Sequence, residues 1–158
     1  MIPAEQLAHT YQSNHWLAKQ LLENISHLES LQYPPFEANC LNWVLGHILA
    51  GRNIALKHMR EPDLWSEERD SLYRTGSEPI SAEAALPLET LISILDRSQE
   101  RLEEVLADAE PEFLTEIIPT RFGERPRWQS ISGLAWHETF HIGQIDLLRA
   151  MIVDQRSA

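Results

Sequence analysis

Apolar residues recur at helical spacing in four long segments of the chain. In residues 4–29 they follow one another at steps of three and four, so a helix would place them on one face. The same period occurs in residues 39–60, in the segment that begins at Pro87, and in residues 130–153. Pro3 and Pro87 suit the first turns of their helices. The pattern therefore predicts four amphipathic helices.

Two long connections separate the last three predicted helices. Turn-forming residues mark residues 61–86 and residues 110–129, the latter containing Pro111, Gly123 and Pro126. The first connection is far longer than the tight turn that joins antiparallel neighbours, which predicts a crossover between helices 2 and 3. Almost no strand pattern occurs. We therefore predict an all-α fold, a four-helix bundle, as a single domain over residues 1–158.

Two histidines lie within the apolar stripe of the fourth predicted helix. His137 and His141 are four residues apart, which places their Cβ atoms roughly 5–6 Å apart on one helix face. Leu134 and Ile145 share that face. An unpaired buried polar group costs about 1–3 kcal/mol, and one metal ion can bind both imidazoles. The spacing favours a shared metal over histidines that only pack and form hydrogen bonds.

His47 is the best candidate for a third ligand, because it lies on the apolar stripe of the second helix with Val44 and Ile48. His58 is about three turns further along, roughly 16 Å away, and cannot share an ion with His47. Three imidazoles would leave a coordination position open, as in catalytic zinc sites. Cys40 is the only cysteine, which excludes a thiolate cluster.

Glu138 gives the same helix the zinc-protease pattern His-Glu-x-x-His, in which the glutamate is a general base. Leu147 stands where the metzincin extension requires histidine, and no glutamate follows Glu138 to serve as a distant ligand. A protease is therefore a minor alternative. Glu138 remains a candidate general base, or else a carboxylate on the helix surface.

The net charge of −11 and the pI near 5.0 argue against nucleic-acid binding. Arg121, Arg125 and Arg127 form a local basic cluster that either meets an anionic ligand or is simply solvated. No apolar run approaches the roughly 20 residues that span a bilayer, and residues 1–6 lack the features of a signal peptide. We expect a cytoplasmic protein with no membrane partner.

Two segments of the chain resemble the DinB/YfiT-like superfamily of metal-binding four-helix bundles. One is residues 42–48, in which a tryptophan precedes a histidine, as on the family's second helix. The other is residues 137–145 with Leu148-Arg149, in which paired histidines precede Gly-Gln, as on the family's last helix. Helix number, helix order and the long middle connection agree, so the resemblance covers nearly the whole chain.

The resemblance implies that His47, His137 and His141 bind a divalent ion, most often zinc or nickel. Characterised relatives include S-transferases that use bacillithiol, mycothiol or glutathione, and a mycothiol-dependent maleylpyruvate isomerase. A low-molecular-weight thiol is therefore an expected cosubstrate, with water and hydrolysis as the other possibility. A small-molecule substrate and a homodimer are also expected. The rival interpretation is a metal-binding or structural bundle without catalysis.

Two further residues are candidates for the surroundings of the metal. Gln144 either orients a ligand of the metal, forms a hydrogen bond with a ligand histidine, or packs against a neighbouring helix. Trp43 is either a core aromatic residue or a residue that stacks on the substrate.

Overall fold

Four long helices form most of the computed structural model, which describes residues 2–156. The elements in chain order are α1 (Ala4–Leu22), α2 (His27–Ser30), α3 (Leu41–His58), α4 (Glu67–Tyr73), α5 (Leu88–Ala107), α6 (Pro111–Thr115), β1 (Ile117–Thr120), β2 (Gly123–Pro126) and α7 (Arg127–Gln155). Helices α1, α3, α5 and α7 correspond to the four predicted ones, which confirms the helical-bundle fold. The single domain over residues 1–158 stays a prediction, and its residues 1, 157 and 158 lie outside the described part.

The predicted crossover is confirmed by the directions of the helices. Asn42, at the start of α3, donates from Nδ2 to the carbonyl of Leu86, just before α5, at 3.0 Å. Helices α3 and α5 therefore begin at the same end of the bundle. Arg127, the first residue of α7, forms a hydrogen bond with the carbonyl of His58, the last residue of α3, so α7 runs antiparallel to α3. Residues 59–87 consequently return along the length of the bundle.

Helix α3 is buried around most of its circumference, because it packs against both α5 and α7. Fourteen of its eighteen residues are buried, as expected for a helix that is apolar on nearly every side. Four polar residues are buried among them, and each has a hydrogen-bond partner. These are Asn42, His47, Arg52 and Asn53. Buried polar groups need such partners, so at these four positions α3 forms specific hydrogen bonds in addition to its apolar packing.

The two connections contain secondary structure that the hydrophobic pattern did not predict. Helix α4 lies within residues 61–86, and residues 110–129 contain α6 and an antiparallel hairpin of β1 and β2. In the hairpin, Thr120 pairs with Gly123, which has a φ of +93° that favours glycine and allows the tight turn. These eight residues are the strands of the described chain, so the predicted all-α fold holds with one small hairpin added.

The predicted helix ends also shift. Helix α1 ends at Leu22 and not at residue 29, because Asn24 takes a φ of 61° and Ser26 begins α2 with a capping box. Helix α7 begins at Arg127, directly after the hairpin, and not at residue 130. Within residues 2–156, no helix is both long enough and apolar enough to cross a bilayer.

Candidate metal centre

Three imidazoles meet where α3 packs against α7. Nε2 of His137 lies 3.2 Å from Nε2 of His47 and 3.0 Å from Nε2 of His141. One ring nitrogen from each histidine lies within 4.8 Å of the other two, which is close enough to hold one ion. The structure therefore brings together the three residues that the sequence predicts as ligands.

The hydrogen bonds of the opposite ring nitrogens determine the tautomer of two of these histidines. His47 donates from Nδ1 to the carbonyl of Tyr73 at 2.7 Å, and His141 donates from Nδ1 to Oε1 of Gln144 at 2.6 Å. A neutral imidazole carries one N–H group, so Nε2 of both rings is a bare acceptor. His137 can donate from its Nε2 to only one of them. A divalent cation that binds all three lone pairs removes this conflict, so the residues fit a metal ion.

Burial keeps the three rings neutral. It lowers the pKa of His47 and of His141, and the hydrogen bonds to Tyr73 and Gln144 oppose the shift only in part. Burial, followed by the effect of the two neighbouring imidazoles, lowers the pKa of His137 to about 4. Near neutral pH all three histidines are in the form that binds metal ions.

Two aromatic residues hold His47 in place. Trp43 stacks on its ring with the centroids 4.8 Å apart, and donates from Nε1 to Oγ of Ser77 at 2.9 Å. The ring of Tyr73 packs directly on Gly46, where an added Cβ would lie 2.1 Å from it. Trp43 is only 7% exposed, so it contacts His47 from within the core. Its contact with substrate stays a prediction.

A cavity of about 430 Å³ lies beside the imidazoles. His47 and His137 form part of its lining, and Gly51 leaves room next to His137, because a Cβ there would lie 3.6 Å from Nδ1 of His137. That nitrogen is buried and has no hydrogen-bond partner in the described chain. Apolar side chains form much of the remaining wall, namely Ile54, Phe122, Leu134 and Trp136. A cavity of this size accommodates a small organic molecule.

Glu138 lies in the core of the bundle and does not line this cavity. It is 2% exposed, and its two oxygens accept hydrogen bonds from Nε and Nη2 of Arg52 at 2.8 and 2.7 Å. Arg52 also donates to the carbonyl of Leu95 and to Oγ of Ser98. The role of Glu138 as a general base stays a prediction, and this buried ion pair argues against it.

Two of the three arginines of the local basic cluster lie at the cavity. Arg121 and Arg125 belong to the hairpin and contribute to its lining. Arg127 is buried, where it pairs with Glu116 and donates to the carbonyl of Phe113 at 2.9 Å. Arg127 therefore anchors the base of the hairpin to α7.

Sequence reasoning missed three residues that support the site. Arg52 is the only Lys, Arg, Asp or Glu in residues 41–56, and such a charge in a buried helix is a signal that it needs a buried carboxylate partner. Tyr73 and Ser77 lie in a connection without periodicity, and their contacts with His47 and Trp43 arise only from tertiary packing.

A family model described as the DinB superfamily matches residues 3–145. Among solved structures, a conserved protein from Enterococcus faecalis is similar with a TM-score of 0.76 at 15% identity, over 98% of this chain and 99% of that one. A mutant of the mycothiol-dependent maleylpyruvate isomerase is similar with a TM-score of 0.67 at 13% identity, over 91% of this chain and 61% of that one. At such identities the likeness shows the fold alone. No curated protein matches the chain significantly.

Proposed function

The chain belongs to the DinB superfamily, and on that premise we propose that it is an enzyme that depends on a divalent metal ion. His47, His137 and His141 bind the ion, with zinc and nickel as the first candidates. The observation that carries the proposal is the convergence of three neutral imidazoles, two of which have bare Nε2 atoms beside the third.

A divalent ion supplies Lewis acidity, which lowers the pKa of a thiol or of water bound to it. With a low-molecular-weight thiol the reaction is S-transfer or isomerisation, and with water it is hydrolysis. The similarity in fold to a mycothiol-dependent isomerase supports the thiol as the first candidate. The protein would position the three imidazoles around the ion, and the cavity would give a small molecule access to it.

The cavity favours an enzyme over the rival, a metal-binding bundle without catalysis. Among residues 2–156 the group has three donors, whereas structural zinc sites are closed by four protein ligands. His47 and His137 also line a cavity that gives a small molecule access to them. The protease alternative gains no support, because Arg52 engages both oxygens of Glu138.

The test measures turnover by zinc-loaded and nickel-loaded protein. Bacillithiol, mycothiol and glutathione are each supplied with chlorodinitrobenzene. In the reaction the thiol sulfur forms a C–S bond to the ring, the C–Cl bond breaks with loss of chloride, and the thiol proton passes to solvent. Nitrophenyl acetate tests hydrolysis. Cys40 is 0% exposed and burial raises its pKa, so the protein's own thiol does not compete.

We expect turnover of at least one substrate by the metal-loaded protein, and its loss in His141→Ala. Rates that are equal in metal-loaded, metal-free and His141→Ala protein would contradict the proposal. Such a result together with stoichiometric metal would favour the rival interpretation.

A further inference from the structure

The cavity beside the imidazoles is cationic, although the chain as a whole is acidic. The net charge of the chain is −11. Within residues 2–156, the charged side chains that line the cavity are nevertheless Arg74, Arg121, Arg125 and a single carboxylate, Asp70. A cleft lined by one sign of charge concentrates ligands of the opposite sign. The lining therefore favours anionic molecules, whereas the acidic outer surface would attract cations.

Arg74 does not contribute free positive charge to the cavity. It forms ion pairs with two carboxylates of α4, those of Glu67 and Asp70, the latter at 3.4 Å. Asp70 also accepts a hydrogen bond from Nε1 of Trp65 at 3.0 Å. The acidic helix α4 thus neutralises Arg74 and uses the only carboxylate of the lining in doing so.

Arg121 and Arg125, in contrast, have no carboxylate partner among residues 2–156. Both guanidinium groups lie against the ring of Phe122, with Cζ atoms 4.5 and 5.4 Å from its centroid. Arg125 donates from Nη2 to the carbonyl of Phe122 at 2.9 Å, but its Nε is buried and has no acceptor. A buried donor without an acceptor is costly, so the described residues leave the guanidinium group of Arg125 incompletely satisfied.

The hairpin holds these arginines in defined positions, Arg121 in its turn and Arg125 in β2. Thr120 donates from Oγ1 to the carbonyl of Gly123 at 2.7 Å, and accepts from the backbone N–H of Phe122 at 3.2 Å. At its base, the backbone N–H of Arg127 donates to the carbonyl of Glu116 at 2.9 Å, which joins the hairpin to α7. The turn is therefore fixed at both ends.

We propose that Arg121 and Arg125 form an anion subsite for a small organic substrate. The anionic group binds the two guanidinium groups, the apolar part contacts Ile54 and Leu134, and the reacting group lies at the end formed by the imidazoles. The position of the reacting group beside the imidazoles rests on the proposed function, whereas the binding of an anion by the two arginines does not. A guanidinium group pairs with a carboxylate or a phosphate through parallel hydrogen bonds, so both anions share the required chemistry.

The test is calorimetric titration of zinc-loaded protein with benzoate, phenyl phosphate and the uncharged benzamide. Arg121→Gln is the decisive variant, because the exposed side chain of Arg121 lies against Phe122 but has no hydrogen-bond or ion-pair partner within the described residues, so its loss should spare the fold. Arg97→Gln is the matched control, since Arg97 is exposed on α5 and lies outside the cavity. We expect at least one anion to bind tenfold or more tightly than benzamide, and to lose about tenfold in Arg121→Gln but not in Arg97→Gln. The preferred anion tells a carboxylate from a phosphate.

The subsite is refuted if neither anion binds more tightly than benzamide, or if Arg121→Gln binds as well as the wild type. Repeating the titration without zinc separates this failure from that of the proposed function. Arginine-dependent binding in a protein that takes up no zinc when zinc is supplied would support the subsite, and the failure to take up zinc would contradict the metalloenzyme. Binding that requires zinc but not Arg121 would refute the subsite and leave the metal site intact.

Discussion

At the scale of single residues, the hydrogen bond made by Nδ1 of His47 and of His141 leaves Nε2 of the same ring free to bind a metal ion. The carbonyl of Tyr73 accepts a hydrogen bond from Nδ1 of His47, and Oε1 of Gln144 accepts one from Nδ1 of His141. The sequence could predict the histidines as metal ligands, because each lies on an apolar stripe, where a buried polar side chain needs a bonding partner. It could not predict Tyr73 as a partner, since that contact joins residues brought together only by the crossover.

Gln144→Ala should weaken zinc binding by about 10–100-fold, because residues that orient a ligand histidine commonly contribute that much to metal affinity. Competition with a chromophoric chelator measures the affinity. Gln155→Ala, at the exposed end of the same helix, is the control and should bind zinc like the wild type. Equal affinities in the two variants would show that Gln144 does not support His141.

Glu138→Gln should lower the free energy of unfolding by about 3–5 kcal/mol, because it leaves the charge of Arg52 buried without its partner. Urea unfolding followed by circular dichroism measures this loss. Asp63→Asn, which removes an exposed ion pair with Lys57, should change stability little. A Glu138→Gln protein of native stability that has lost only its turnover would instead support the general base.

At the scale of elements, the long helices were predictable and the short ones were not. Periodicity over about twenty residues identifies α1, α3, α5 and α7, whereas α4 and the hairpin are too short to carry such a signal. An isolated two-stranded hairpin is only marginally stable in water. This one depends on Arg127 of α7 and its contacts with Glu116, which lie outside the strands themselves.

Gly46→Ala should destabilise the protein and weaken metal binding together. The new methyl group would lie 2.1 Å from Cδ1 of Tyr73, a ring that is 0% exposed and cannot move aside freely. Displacing Tyr73 would withdraw its carbonyl from His47. Unfolding in urea and zinc affinity measure the two effects.

Gly143→Ala is the control for Gly46→Ala, because a Cβ at Gly143 meets no atom within 4 Å. Replacing glycine by alanine within an unhindered helix should stabilise it by roughly 0.5–1 kcal/mol. Similar stabilisation by both substitutions would contradict the packing of Tyr73 on Gly46.

At the scale of the whole molecule, the parallel course of α3 and α5 determines how the site is built. The crossover carries Tyr73 and Ser77 back over the face where α3 meets α7, so the connection supports the imidazoles and borders the cavity. The length of residues 61–86 was enough to predict the crossover. Its contacts were not predictable, since they depend on where α4 lies along α3.

The homodimer that the family resemblance implies stays a prediction. Light scattering coupled to gel filtration should give twice the 18.2 kDa mass of one chain. A mass of one chain across the accessible concentration range would contradict it.

The metal content of the purified protein tests the central claim most directly. Elemental analysis is made on untagged protein, prepared without added metal or chelator, alongside His47→Ala, His141→Ala and the exposed control His9→Ala. We expect about one zinc or nickel per chain in the wild type and in His9→Ala, and none in the other two variants, with helix content retained in all. A wild-type protein that neither contains nor takes up metal, or a ligand variant with stoichiometric metal, would contradict the account.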